Sequence, residues 1–176
     1  AKWAELEYGK EAAGAMVEIL ELSPDAVDCL FYDEKTRVLD FGPHGYADWQ
    51  EFRYRRMKSS CEIMASTENV MQNKNKAVEL FQRMADLWEG QKGKVEKLAF
   101  TATQKALDDA LMYSILIRDV NEVMLKHYRN EKEGLDEAVE RLLASKTKYD
   151  ALYGTHITDD LRLLIDEVLG DMAKEE

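Results

Sequence analysis

The sequence predicts an all-α protein, from the scarcity of proline, the placement of glycine and the helical recurrence of apolar residues. The chain has 176 residues and two prolines, Pro24 and Pro43, with none after Pro43. Because proline interrupts helices and glycine favours helix ends, long stretches poor in both indicate long helices. Apolar residues recur every three or four positions, which is typical of one helix face. We expect a bundle of about six or seven helices in a single domain, residues 1–176.

The N-terminal part, 1–46, predicts helices followed by a loop, ahead of a main bundle at 47–176. A first helix is expected over 2–22, with Gly9 as a point where it can break. The serine, proline and aspartate at 23–25 then favour a new, short helix, because serine caps, proline suits the first helical position and acid suits the first turn. Residues 33–46 lose the helical pattern and predict an irregular loop, in which 37–41 could form one short extended segment.

The rest of the chain predicts a succession of amphipathic helices. Their expected positions are about 47–72, 75–89, 94–129, 134–154 and from 158 onwards. The polar run 71–76 predicts a break between the first two. Residues 110–117 are apolar nearly all round, which indicates that the long helix is central and has other helices on every side.

Composition excludes several function classes. The net charge is −11 and the isoelectric point is near 4.8, so we expect neither a nucleic-acid partner nor an anionic membrane partner. No apolar run approaches the length of a membrane span, and no secretory leader is evident. Because the chain starts at Ala1 rather than Met, we expect it to be a processed protein or a piece of a longer one.

Motifs for catalysis or cofactor binding are missing from the sequence. None of the histidines, His44, His127 and His156, has glutamate three residues before it, so the usual di-iron bundle is excluded. No phosphate-binding loop, dinucleotide fingerprint or nucleophile elbow occurs. Cys29 and Cys61 form no C-x-x-C pair; they either form one disulfide or are two small buried hydrophobes. We therefore expect no catalytic residue, no cofactor and no metal.

Two charged clusters each allow a functional and a structural interpretation. Arg118 and Asp119, with Glu122, lie on the most apolar helix. A buried carboxylate beside an arginine can act as an acid–base pair, but more often it is an ion pair that orients helices, and we favour that. The basic cluster 52–56 could bind RNA or an acidic partner; in so acidic a chain we expect it to neutralise acids on another helix.

The loop 41–49 is the candidate interaction site. It gathers Phe41, His44, Tyr46 and Trp49 around two glycines. Aromatic side chains on a loop offer the flat faces that sugar-binding and partner-binding surfaces use. The alternative is that they cap the end of the bundle.

Several segments resemble a known family. The N-terminal segment 1–13 (AKWAELEYGKEAA), followed by 22–26 (LSPDA) and 31–32 (FY), resembles the region just after the catalytic barrel in large bacterial glycoside hydrolases. The groups concerned are the α-glucuronidase-like and hexosaminidase-like enzymes. Their C-terminal all-helical domains carry patterns similar to 76–81 (KAVELF) and 110–113 (ALMY).

The resemblance implies an accessory domain that packs on a catalytic barrel outside this chain and is not catalytic alone. It implies a periplasmic or extracellular location, carbohydrate as a ligand of the whole enzyme, and an apolar patch on the 1–50 half where the barrel would dock. The alternative function is a free-standing helical interaction or sensor bundle, which could be cytoplasmic and could form a homodimer. A stand-alone enzyme is a third reading, disfavoured because no nucleophile, base or metal set converges.

Overall fold

The computed structural model describes residues 2–31, 69–154, 165–166, 168–170 and 172–173, and over these residues the protein is all-α, as predicted. The five helices with complete bounds are α1 (Lys2–Tyr8), α2 (Ala13–Phe31), α3 (Val70–Glu89), α4 (Lys97–Tyr128) and α5 (Leu135–Tyr153). The predicted loop 33–46, most of the helix predicted over 47–72 and the start of the last helix at 158 lie outside the described residues.

The helices pack in the order of the chain. α3 lies between α2 and α4, α5 packs on α4, and α1 packs on α2. The connections from α3 to α4 and from α4 to α5 are short, which favours antiparallel packing of sequence neighbours. Within the described part of the chain, no helix is both long enough and apolar enough to cross a membrane.

The predicted long central helix is confirmed as α4. The Glu96 carboxylate caps its start by accepting from the backbone N–H groups of Ala99 and Leu98, at 3.0 and 2.9 Å. These two bonds hold the pKa of Glu96 below its ordinary value. The stretch of α4 from 114 to 125 is buried or half-buried on all sides, so this helix forms the middle of the core.

The predicted restart at 23–25 is wrong, because α2 runs without interruption from Ala13 to Phe31 with Pro24 inside it. The Ser23 hydroxyl donates to the carbonyl of Ile19 at 2.7 Å, a bond inside the helix rather than an N-cap. Ala26 and Leu30 continue the buried face begun before the proline. Burial of one continuous face therefore outweighs the roughly 3 kcal/mol that an internal proline costs.

The break predicted at 71–76 is also wrong, since α3 begins at Val70 and continues through that polar run. Lys74 is only 2% exposed. Its ammonium group donates to the carbonyl of Cys29 in the last turn of α2, at 3.4 Å. The long apolar stem of a lysine can line an interface while its charged end reaches a helix C-terminus. Lys74, which belongs to the polar run that predicted a break, thus joins α3 to α2.

Four aromatic rings connect α1 to the core. Trp88 is fully buried and stacks on Phe100 of α4, with ring centroids 6.1 Å apart. Tyr8 contacts Trp88 edge to face at 5.2 Å, and Trp3 contacts Tyr8 in the same way at 5.7 Å. The Trp88 indole N–H donates to the Phe100 carbonyl at 3.1 Å. This chain of rings links α1, α3 and α4 and ends at the surface with Trp3.

Candidate functional site

Exposed large hydrophobic side chains concentrate on the first two helices. Trp3 is 52% exposed, Leu6 79%, Leu20 51% and Val27 41%. We call these four residues the N-terminal apolar face. Three other large hydrophobics of the described residues are exposed, one on α4 and two on α5. Isolated exposed hydrophobics are normal on a protein surface, whereas a group of them indicates a contact surface.

α1 is apolar on two opposite sides. Ala4 and Tyr8, four residues apart, face the bundle, and Ala4 is fully buried. Trp3 and Leu6, three residues apart, lie on the other side at helical spacing. A surface helix normally presents one apolar stripe and one polar face. α1 instead has an apolar side towards its own bundle and another towards the outside.

α2 also carries apolar side chains beyond its buried face. Its buried side chains include Met16, Ile19 and Leu30. Leu20 and Val27, seven residues apart, lie together on an adjacent flank of the helix and are about half exposed. Both N-terminal helices therefore keep exposed apolar side chains in addition to those that pack within the bundle.

The surroundings of the N-terminal apolar face are acidic. Residues 2–31 contain two lysines and seven carboxylates. One of these carboxylates, Glu18, forms an ion pair with Arg83 of α3. Others, including Glu21 and Asp28, are exposed. A partner for this face would need apolar surface with a basic rim.

The ion-pair interpretation of Arg118 and Asp119 is supported by the packing. The Asp119 side chain is only 1% exposed, and Arg118 reaches its Oδ1 atom through Nη2 at 2.6 Å and Nε at 2.8 Å. The Ser145 hydroxyl of α5 donates to the other carboxylate oxygen. Asp119 is thus held by partners on two helices, and both of its oxygens are engaged. This arrangement joins α4 to α5 and engages both carboxylate oxygens in contacts with Arg118 and Ser145.

Glu122 belongs to the same interface. Its carboxylate pairs with Arg141 of α5 at 2.6 Å. The hydrogen bond from Arg141 to Glu122 raises the pKa of the Arg141 guanidinium further above its ordinary range. Asp119 and Glu122 therefore each join α4 to α5, and Arg118 holds Asp119 within α4.

A second polar contact joins the same two helices near the end of α5. The Tyr153 hydroxyl donates to Asp109, whose other oxygen accepts from Lys105 at 2.6 Å. Burial and the Asp109 hydrogen bond raise the pKa of Tyr153 well above its ordinary value. Burial alone would raise the pKa of Asp109, but the hydrogen bonds from Lys105 and Tyr153 together lower it.

We expect Tyr153→Phe to lower the free energy of unfolding by about 1 kcal/mol at pH 7, because it removes a hydrogen bond to a charged group at a partly exposed site. A tyrosine whose pKa is raised by folding stabilises the fold in full below its unfolded-state pKa of about 10. This contribution to the free energy of unfolding is lost as the pH rises above that value. The variant should therefore lose less stability than the wild type between pH 10 and pH 11.5. Urea unfolding at each pH measures this; identical alkaline slopes would contradict it.

Most of the other residues that the sequence analysis singled out lie outside the part of the chain that the structure describes. Phe41, His44, Tyr46 and Trp49 lie outside the described residues, as do the basic cluster 52–56 and Cys61. Cys29 is half-buried on α2. In the described ranges, no three histidine, cysteine, aspartate or glutamate side chains come together as a metal site would require.

The resemblance implied an apolar patch within residues 1–50 but did not say which residues form it, and the four residues of the N-terminal apolar face were not identified from the sequence. The available signal was the presence of two apolar stripes on α2 instead of one.

Comparisons of the chain with protein-family models, curated proteins and solved structures find no match.

Proposed function

We propose that the chain is a non-catalytic helical docking domain that packs on a second protein domain through the N-terminal apolar face. The observation that carries this proposal is the two-sided apolar character of α1, with Ala4 turned inwards and Trp3 and Leu6 turned outwards. Covering the outer side as well would add stability, since burial of apolar surface is worth about 25 cal/mol per Å².

The class of the second domain rests on the resemblance to helical domains of large glycoside hydrolases. We propose that it is the catalytic domain of a carbohydrate-active enzyme. The exposed apolar residues fall within the half of the chain where such a domain would dock. The side chains of Arg118, Asp119 and Glu122 form ion pairs and a hydrogen bond within the bundle. This favours a structural role for the cluster over a catalytic one.

Trp3 provides the anchor of this surface. Its ring is the exposed end of the aromatic chain that passes through Tyr8 to the buried Trp88. A ring held in place by its neighbours loses little conformational freedom on binding. Tryptophan is also enriched among the residues that dominate binding energy. We therefore expect Trp3 to contribute more to docking than any other residue of the face.

The test begins with the reading frame that contains the chain and with the catalytic domain it encodes. Expressed separately, that domain should bind the chain, and Trp3→Glu with Leu6→Glu should weaken binding at least 30-fold, the loss of a typical hot spot. Calorimetric titration measures the affinity. The matched control is Leu143→Glu with Leu152→Glu, which places two charges on exposed leucines of α5 and should change affinity less than twofold.

Two outcomes would overturn this function. The first is a reading frame with no such domain, or a domain whose affinity is the same for both double variants. The second is a chain that self-associates through Trp3 and Leu6 in sedimentation experiments, which would identify a free-standing dimeric bundle instead.

A further inference from the structure

α2 carries a row of outward apolar residues with the spacing of a coiled-coil seam. Val17, Leu20, Pro24 and Val27 follow one another at intervals of three, four and three residues, the spacing of alternating a and d positions. Val17 is half-buried, Pro24 is exposed, and the other two are about half exposed. We call these four residues the outer seam. It covers about 15 Å along the helix axis, or three turns.

Leu20, Pro24 and Val27 of the outer seam lie apart from the face by which α2 packs on α3, whereas Val17 at its first position also packs against the core. The packing face consists of other heptad positions, among them Met16, Ile19 and Ala26, which are all at most 5% exposed. Ser23 on that side contacts the sulfur of Met84 at 3.5 Å. α2 therefore presents one helix-packing face to its own bundle and a second one to the outside.

The charges beside the outer seam point to the chemistry of its occupant. Glu21 and Asp28 directly follow Leu20 and Val27, which makes both of them e positions, and both are exposed. Residues at e positions flank the seam of a coiled coil and select the partner by charge. Two acids at successive e positions favour a helix that carries lysine or arginine alongside its apolar stripe.

We propose that the outer seam binds an amphipathic α-helix of the partner whose apolar stripe is flanked by basic residues. The proposal rests on the proposed function, since this helix would belong to the domain that docks on the N-terminal apolar face. A second copy of α2 is a poorer occupant: in an antiparallel pair, Glu21 and Asp28 would face the same acids of the other copy. Like charges at such positions are destabilising.

The probe for this site is a fluorescein-labelled synthetic peptide of about 18 residues, with leucine at a and d positions and lysine beside them. We expect the chain to bind it, measured by fluorescence anisotropy, and to bind a peptide with glutamate in place of the lysines at least fivefold more weakly. Leu20→Glu with Val27→Glu should weaken binding of the lysine peptide at least tenfold. Circular dichroism establishes that the variant is folded.

Reversal of the charges beside the outer seam distinguishes specific binding of the peptide from non-specific hydrophobic binding. Glu21→Lys with Asp28→Lys should weaken the lysine peptide about fivefold and strengthen the glutamate peptide by a similar factor, and 0.5 M salt should reduce both effects. The matched control is Asp136→Lys with Glu140→Lys on α5, which makes the same change of charge at two exposed side chains. It should change the affinity for either peptide less than twofold.

The inference is overturned if the lysine peptide does not bind, if both α2 variants leave its affinity unchanged, or if the chain dimerises through α2 in sedimentation experiments. Its failure can be told apart from that of the proposed function. A catalytic domain whose binding depends on Trp3 and Leu6 but not on Leu20 and Val27 would preserve the function and remove the helix site. Binding of the lysine peptide by a chain that has no catalytic partner would preserve the helix site and remove the proposed function.

Discussion

Replacement of Trp88 by alanine should lower the free energy of unfolding by about 3–5 kcal/mol, the largest effect we expect from a single substitution. Trp88 is fully buried between Tyr8 and Phe100. Its removal leaves a cavity where three helices meet and leaves the Phe100 carbonyl without its indole donor. For a chain of this length the melting temperature should fall by roughly 10 °C.

Thermal and urea unfolding followed by circular dichroism measure this loss. Trp88→Phe should cost less, about 1–2 kcal/mol, because a ring remains and only part of the volume and the indole hydrogen bond are lost. The control is Leu98→Ala, at a side chain that is 75% exposed, with a change within about 0.5 kcal/mol. Equal effects at Trp88 and Leu98 would show that Trp88 does not lie in the core.

The substitution should also act on the proposed docking surface. Tyr8 is the residue that joins Trp3 to Trp88, so loss of the Trp88 ring removes the aromatic contact between α1 and α3. We expect amide hydrogen exchange in α1 to become faster than in the wild type. The corresponding change should be smaller in α5, where the packing is unchanged. If α1 exchanged at the wild-type rate, the aromatic chain would not be what holds it.

Replacement of Asp119 by alanine should lower the free energy of unfolding by about 2–3 kcal/mol. The change leaves the Arg118 guanidinium, 26% exposed, without its carboxylate and leaves the Ser145 hydroxyl without its acceptor. Breaking a buried ion pair commonly costs 3–5 kcal/mol. The partial exposure of Arg118 reduces the loss, because water can solvate the charge that remains.

A double-mutant cycle with Ser145→Ala checks the assignment of partners. The two substitutions together should destabilise by less than the sum of the separate losses, with a coupling of about 1 kcal/mol. Asp119→Asn keeps an acceptor for Ser145 and should cost less than alanine. Additive losses would mean that the Asp119 and Ser145 contact does not hold α4 and α5 together. Unchanged stability of Asp119→Ala would restore the acid–base interpretation of this cluster.

The sequence predicted the helix ends where backbone chemistry alone decides them. Gly9, Gly134 and Gly154 all take positive φ angles, which most other residues avoid. Each lies at an end of α1 or α5, as the glycine placement indicated. The long central helix was predictable for a similar reason, because no proline or glycine interrupts 97–128 and its apolar residues recur at helical spacing.

The sequence predicted breaks wrongly where tertiary contacts outweigh local preference. Pro24 with its neighbouring serine has the chemistry of a helix start, yet burial of Ala26 and Leu30 keeps α2 continuous. The polar run at 71–76 resembles a loop, yet Lys74 spans the interface to Cys29 and the helix continues. Neither the roughly 3 kcal/mol cost of an internal proline nor the smaller differences among ordinary residues, up to about 0.7 kcal/mol, outweighs such packing.

Helical periodicity, glycine placement and charge are local or additive properties of the sequence, and they were enough to predict the fold class, the central helix and the acidic character of the protein. Which apolar stripe of a helix is buried depends instead on how the helices pack against one another. Ile19 and Leu20 are adjacent apolar residues on α2, but the first is 4% exposed and the second 51%. Their difference depends on where α3 lies, and that position is set by the packing of side chains far apart in the chain.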